Sequence, residues 1–209
     1  MDWEYLTGTL IRWLHVLSGI IWVGTLYSLV LIQGPALAAL DPPVRKSLLL
    51  GIMPRALWWL RWAAMTTLIL GTGLFTWEYH RIDAGFGTNA NLSVQGVITD
   101  RALFTMTGIG LAITLWFMAW FLVWPPWTHV LRKLAGGEPP PTDLLARVKR
   151  RSRFAFIISG PLILFMVAPQ NYLDDYSLLS VCSIAGVGVL VQALLLLLAG
   201  RLSFPDEPV

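Results

Sequence analysis

The stretch Arg12-Trp13-Leu14-His15-Val16-Leu17-Ser18-Gly19-Ile20-Ile21-Trp22-Val23-Gly24 sets an imidazole inside an apolar run from Leu10 to Ile32. An ionisable ring in such a run is costly to bury, so it has either a partner or a task. At helical spacing His15, Gly19 and Trp22 share one face, with Arg12 a turn earlier. Gly19 carries no side chain, which leaves a flat surface beside the ring for a porphyrin, a quinone or a neighbouring helix. If iron is the occupant, His15 is a metal ligand, and His80 at the end of the second apolar run is the candidate second ligand. His80 reads equally well as an ordinary loop residue. Arg12, Arg81 and Arg101 fall at the same rim, where they can meet haem propionates through charge-assisted hydrogen bonds or serve as plain interfacial arginines. The plain reading of His15 and Gly19 is one interhelical hydrogen bond and close helix packing.

The remaining composition narrows the class. Of 209 residues, 56% are hydrophobic and 13% charged, which excludes an ordinary soluble domain. Trp3, Trp58, Trp59, Trp77, Trp124 and Trp127 stand near the ends of apolar runs, as an interfacial aromatic belt does. The net charge of +3 arises from basic residues grouped in loops, so no nucleic acid partner is implied. Cys182 is the single cysteine, so there is neither an intrachain disulfide nor a Cys-x-x-Cys-His attachment, and any haem must be held non-covalently. No Asp or Glu lies in the middle of an apolar run, an inventory poorly suited to ion or proton translocation.

Five apolar runs predict an all-α, integral membrane bundle of five transmembrane helices in one domain over 1–209. They fall at about 10–32, 56–77, 103–124, 154–168 and 178–199. Pro42 and Pro43 break the first connection, with a short surface helix expected at Leu48–Met53. The third run is expected to stop at Pro125-Pro126, and Pro161 to kink the fourth. Thr142 or Asp143 can cap a short helix leading into Arg147–Arg153, a basic stretch that reads as a cytoplasmic retention signal or an anionic-lipid contact. Basic residues concentrate in the first and third connections. The positive-inside rule therefore puts the N-terminus outside and the C-terminus in the cytoplasm, in a bacterial inner membrane. The acidic start Met-Asp-Trp-Glu reads as a retained first span rather than a cleaved leader. In this topology His15 and His80 can meet near the outer leaflet, while His129 is at the opposite end.

Several segments, in order, resemble the membrane domain at the N-terminus of bacterial urate oxidases (urate hydroxylases). They are Arg12-Trp13-Leu14-His15-Val16 with Gly19–Gly24, Leu57-Trp58-Trp59-Leu60-Arg61-Trp62 with Gly71 and Gly73, Trp120–Pro125, and Ser152-Arg153 with Ser159-Gly160-Pro161-Leu162 and Phe165-Met166. The departures fall on polar positions of that family: Met118, Pro126-Trp127, Ala155 and Gln170-Asn171 stand where Asn, a polar pair, Asn and a His pair are expected. The first-helix His with Gly and Trp is also similar to copper-resistance membrane domains and haem-binding membrane protoporphyrinogen oxidases. That similarity implies haem b on His15 alone. The first expectation is therefore a b-type cytochrome-like membrane subunit of an electron-transfer complex, working with other membrane subunits and a periplasmic cytochrome c. The second is a cofactor-free structural subunit of a respiratory or photosynthetic complex. The third is a urate-oxidase-like enzyme supplied with a separate cytochrome c.

Overall fold

The computed structural model describes residues 3–77, 93–94, 97–167 and 176–201. The described chain is helical apart from one two-residue antiparallel pair, β1 (Ser93–Val94) with β2 (Val97–Ile98). Five long rods carry the fold. The first joins α1 (Trp3–Tyr27) through a π turn, Ser28–Gln33, to α2 (Gly34–Ala39). The second is α3 (Pro42–Thr76). The third joins α4 (Asp100–Phe117) through a second π turn, Met118–Val123, to α5 (Trp124–Ala135). The last two are α6 (Thr142–Val167) and α7 (Leu178–Arg201).

The rods run further than the apolar pattern alone indicates. The third does not stop at Pro125-Pro126. In its π turn the Trp124 N–H reaches back five residues to the Ala119 carbonyl, and Pro125 and Pro126 then open α5, where an N–H has no intrahelical partner in any case. The first rod repeats the device: the Gly34 N–H reaches the Leu29 carbonyl, and Pro35 follows. At the first connection the break falls at Leu40-Asp41. Arg45 donates to the Leu40 and Ala38 carbonyls, at 2.7 and 3.0 Å, which satisfies the end of α2. Pro42 and Pro43 begin α3 rather than interrupting it, and the helix expected at Leu48–Met53 is its second turn onward. Likewise the helix expected at Arg147–Arg153 is continuous with the fourth run, so α6 starts at Thr142 and passes through Pro161.

Packing follows composition in a way water-soluble bundles do not. Tyr5–Ala39, Asp100–Ala135 and Leu178–Arg201 are long and apolar enough to cross a membrane, with mean hydropathies of 1.8, 1.9 and 2.5. The last of these is the most apolar, yet Gly188 and Gln192 are its only buried residues; Val187, Leu190, Leu194, Leu197 and Leu198 face outward. The less apolar α3 and α6 supply the centre, with Leu57, Ala64, Phe156, Ser159 and Phe165 essentially inaccessible. An apolar exterior around a denser, more polar interior is what hydrocarbon solvent selects.

The tightest contact in the bundle is between α6 and α7. A Cβ on Gly188 would stand 2.5 Å from Pro161 N and 2.8 Å from the Gly160 carbonyl carbon, and one on Gly160 would strike the Gly188 carbonyl oxygen. Backbone meets backbone at both positions, with the Gln192 side chain also against Gly160, and the backbone cannot yield. Gly188→Ala is expected to force the two rods apart and destabilise the protein by about 1–3 kcal/mol. Gly186→Ala, with nothing within 4 Å, is expected to be near neutral. Thermal unfolding of the two variants in the same detergent checks the contrast.

Candidate functional site

The α1–α3 interface is built from small and hydroxylic residues because the two rods must approach closely. Gly19 of α1 faces Thr67 of α3, whose methyl carbon would lie 3.8 Å from an added Cβ. Ser18 and Thr67 set their hydroxyls 3.0 Å apart; Ser18 also donates to the His15 carbonyl at 3.0 Å and Thr67 to the Ala63 carbonyl at 2.7 Å. One turn further along, Gly71 makes room for the His15 ring: a Cβ there would stand 2.8 Å from its Cε1.

This pocket fixes the imidazole. His15 Nδ1 lies 3.0 Å from the Thr67 carbonyl oxygen. A carbonyl only accepts, so Nδ1 carries the proton and the neutral ring keeps its lone pair on Nε2. No described residue bonds Nε2. An Nδ1–H held by a backbone carbonyl with Nε2 left over is the arrangement that orients histidine as a metal ligand. The ring is half-buried, so Nε2 is reached from the outer side of the α1–α3 pair.

The other sequence-derived residues scatter. Gly19 does not offer an open flat surface, because Thr67 covers it. Trp22 turns away from His15 into the core, where it lines a small void with Leu26, Leu60, Leu115, Ala119, Val123 and Ala155. Arg12 is exposed one turn before His15. Arg101 is exposed in the first turn of α4, a helix that packs chiefly on α6. His80, with Arg81 and Gln170-Asn171, lies outside the described residues. Among the described residues no group of three or more His, Cys, Asp and Glu assembles; His129 is exposed on α5.

Two features went unread in the sequence. An open groove of about 480 Å³ begins at Ser18 and runs between Ile21 and the aromatic wall of Trp58, Trp59, Trp62, Ala63 and Thr66; His15 is not among its lining residues. Its volume falls in the range of small-molecule sites. The Trp58-Trp59 and Trp62 repeat at helical spacing was the available signal. Deeper in the bundle, Tyr27 joins three rods. Gln192 of α7 donates to its hydroxyl, and that hydroxyl is 3.2 Å from Ser159 of α6. Ser159 directs its hydroxyl at both the Tyr27 oxygen and, at 2.7 Å, the Phe156 carbonyl. Gln192 Oε1 is buried with no partner among the described residues.

Gly71→Ala is expected to expel the imidazole from its seat and cost about 1–3 kcal/mol. Loss of the Nδ1 bond should speed modification of His15 by diethyl pyrocarbonate. Peptide mapping of the labelled protein reads it, and an unchanged rate would show that the ring does not depend on the Gly71 clearance.

Compared with known proteins, the chain matches no family model, no curated protein and no solved structure.

Proposed function

We propose that the chain is a membrane subunit of an electron-transfer complex, a b-type cytochrome-like protein with His15 as an axial ligand. The observation that carries the reading is the His15 Nδ1 contact to the Thr67 carbonyl at 3.0 Å, with Nε2 unused among the described residues. Haem b supplies one-electron chemistry when bound. The chain's own part is to hold the ring. Thr67 fixes its tautomer and direction, Gly71 gives it clearance, and the Ser18–Thr67 contact pins the two rods against rotation. His80 is the proposed second ligand, and Arg12 and Arg101 the proposed propionate partners.

All five rods are taken to cross the cytoplasmic membrane of a bacterium, with the N-terminus outside. α3 and α6 do so behind the three more apolar rods. The apolar half of α6, Phe154 to Val167, spans only about 21 Å at 1.5 Å per residue. The basic residues from Arg147 to Arg153 below it then reach the headgroup layer. His15 lies in the outer half of the bilayer, within reach of a periplasmic cytochrome c, and other membrane subunits cover the remaining faces. The resemblance to urate oxidase membrane domains is kept as a proposal of ancestry, with urate chemistry a third reading.

A specific observation favours the second reading, a cofactor-free structural subunit. Thr67 fills the surface at Gly19 and Trp22 faces the core, so the α1–α3 seam has no gap for a flat ring. A planar group on His15 must lie against the outer side of the pair.

An optical spectrum of the purified protein separates the readings. The cytochrome is expected to show Soret and α bands that respond to dithionite and disappear in His15→Ala. A colourless but stable wild-type protein overturns it and leaves the scaffold.

A further inference from the structure

Arg61 is the one cation embedded between rods among the described residues that has neither an acid nor a carbonyl to bind. Its guanidinium carbon lies 4.3 Å from the ring centre of Trp124, 4.4 Å from that of Trp120 and 5.3 Å from that of Trp62. The Trp120 indole N–H donates to the Arg61 carbonyl at 3.1 Å, which locks this ring to the backbone of α3. The described ion pairs are Lys133–Glu138 and Arg147–Asp143, both remote from Arg61 in the chain. Arg61 Nε is buried without a partner, and no described acceptor takes any of its N–H groups.

The indole rings stabilise the charge but accept no N–H···O bond from the guanidinium. Its two Nη groups are not among the enclosed atoms, and paired N–H donors suit a two-oxygen anion. A second guanidinium reaches the same π turn. Arg151 of α6 donates through Nη1 to the Leu122 carbonyl at 3.2 Å, on the π turn between Trp120 and Trp124. Arg61 stands about 9 Å along α3 from Thr67 at 1.5 Å per residue. On the bilayer-spanning reading, with this span entering from the cytoplasm near residue 56, Arg61 lies about 7.5 Å inside that end, and its side chain packs on Trp124.

We propose that the Trp120–Trp124 cage presents Arg61 as the anchor of an anionic-headgroup site, and that the occupant is the phosphodiester of an acidic phospholipid from the cytoplasmic leaflet. The inference rests on the membrane reading and not on haem, so a colourless protein leaves it standing. The phosphate spans the guanidinium edge, with Arg151 as the second positive group. A free phosphate ion has the same chemistry but no acyl chains to hold it at this depth.

The full chain in neutral detergent, stripped of lipid, is titrated with phosphatidylglycerol, with phosphatidylcholine and with inorganic phosphate. Thermal unfolding and native mass spectrometry read each series. Phosphatidylglycerol is expected to raise the melting temperature and to remain bound, whereas the other two do neither. Arg61→Met is expected to weaken phosphatidylglycerol by about tenfold or more, as loss of charge-assisted bonds does. Arg61→Lys keeps the charge but not the planar fork and is expected to fall between them, which guards against a Met variant that fails to fold. Equal binding of phosphatidylglycerol by wild type and Arg61→Lys and Arg61→Met overturns the site. Equal stabilisation by phosphatidylcholine, or by inorganic phosphate, overturns the assignment to acidic lipid.

Discussion

A rod in hydrocarbon must satisfy its own backbone, and this chain threads prolines through nearly every rod. Pro35, Pro54, Pro125, Pro126 and Pro161 each remove an N–H and crowd the carbonyl four residues before. Two solutions recur. At Pro35 and Pro125 a π turn adds a residue, so that the N–H just before the proline reaches back five positions instead of four. At Pro161 the helix continues, and the neighbouring rod closes in until Gly188 lies against the proline nitrogen. The long rods, and hence the places where α1 meets α3 and α6 meets α7, depend on these local repairs.

Much of this was legible. The five apolar runs find counterparts in the five rods. The break near Pro42 was legible too, because Asp-Pro-Pro cannot continue a helix. The rod ends were not. Pro125-Pro126 reads as a stop when helical turns are assumed to be uniform, and only the π register lets a helix pass it. The merging of the basic stretch with α6 was hidden for a different reason: hydropathy drops where charge begins, but helix propensity does not, since Arg and Lys are good helix formers.

The site was half legible. His15 stood out by chemistry, and its burial between rods with one nitrogen bonded follows from what an apolar run demands of an imidazole. Its partners could not be read. Spacing put Gly19 and Trp22 on the His15 face, but a helix face is wide enough to touch both a neighbour and the core. Gly19 met Thr67 and Trp22 met Leu60 and Leu115. The residue that seats the ring, Gly71, lies 56 positions away in sequence, and nothing in α1 indicates it. Arg61 was visible as a charge in an apolar run. The Trp120 and Trp124 pair, four apart on one face, carried the signal for its cage.

The polar side chains of the rods divide by where their hydrogen-bonding capacity goes. Thr67, Thr72, Thr76, Thr105, Thr107 and Thr114 each donate to the carbonyl four residues back, which is how a hydroxyl is silenced in hydrocarbon. They stabilise or bend a rod, and two of them reach further, Thr67 to the Ser18 hydroxyl and Thr107 to the Tyr176 hydroxyl. Among the described residues capacity is left over at His15 Nε2, Gln192 Oε1 and Arg61, and also at Gln33 Oε1, Arg45 Nε and Trp116 Nε1. Gln192 is enclosed by the Gly160–Gly188 contact and by Tyr27, so its spare acceptor serves the packing of α1, α6 and α7. His15 lies where α1 meets α3, and Arg61 lies where α3 meets the second π turn and α5. Of the described elements α3 carries the surroundings of both, with Thr67 and Gly71 at the imidazole and Arg61 itself at the cage. Trp58, Trp59 and Trp62 of α3 line the groove, Arg61 and Trp62 form the cage with Trp120 and Trp124, and Thr67 holds the imidazole.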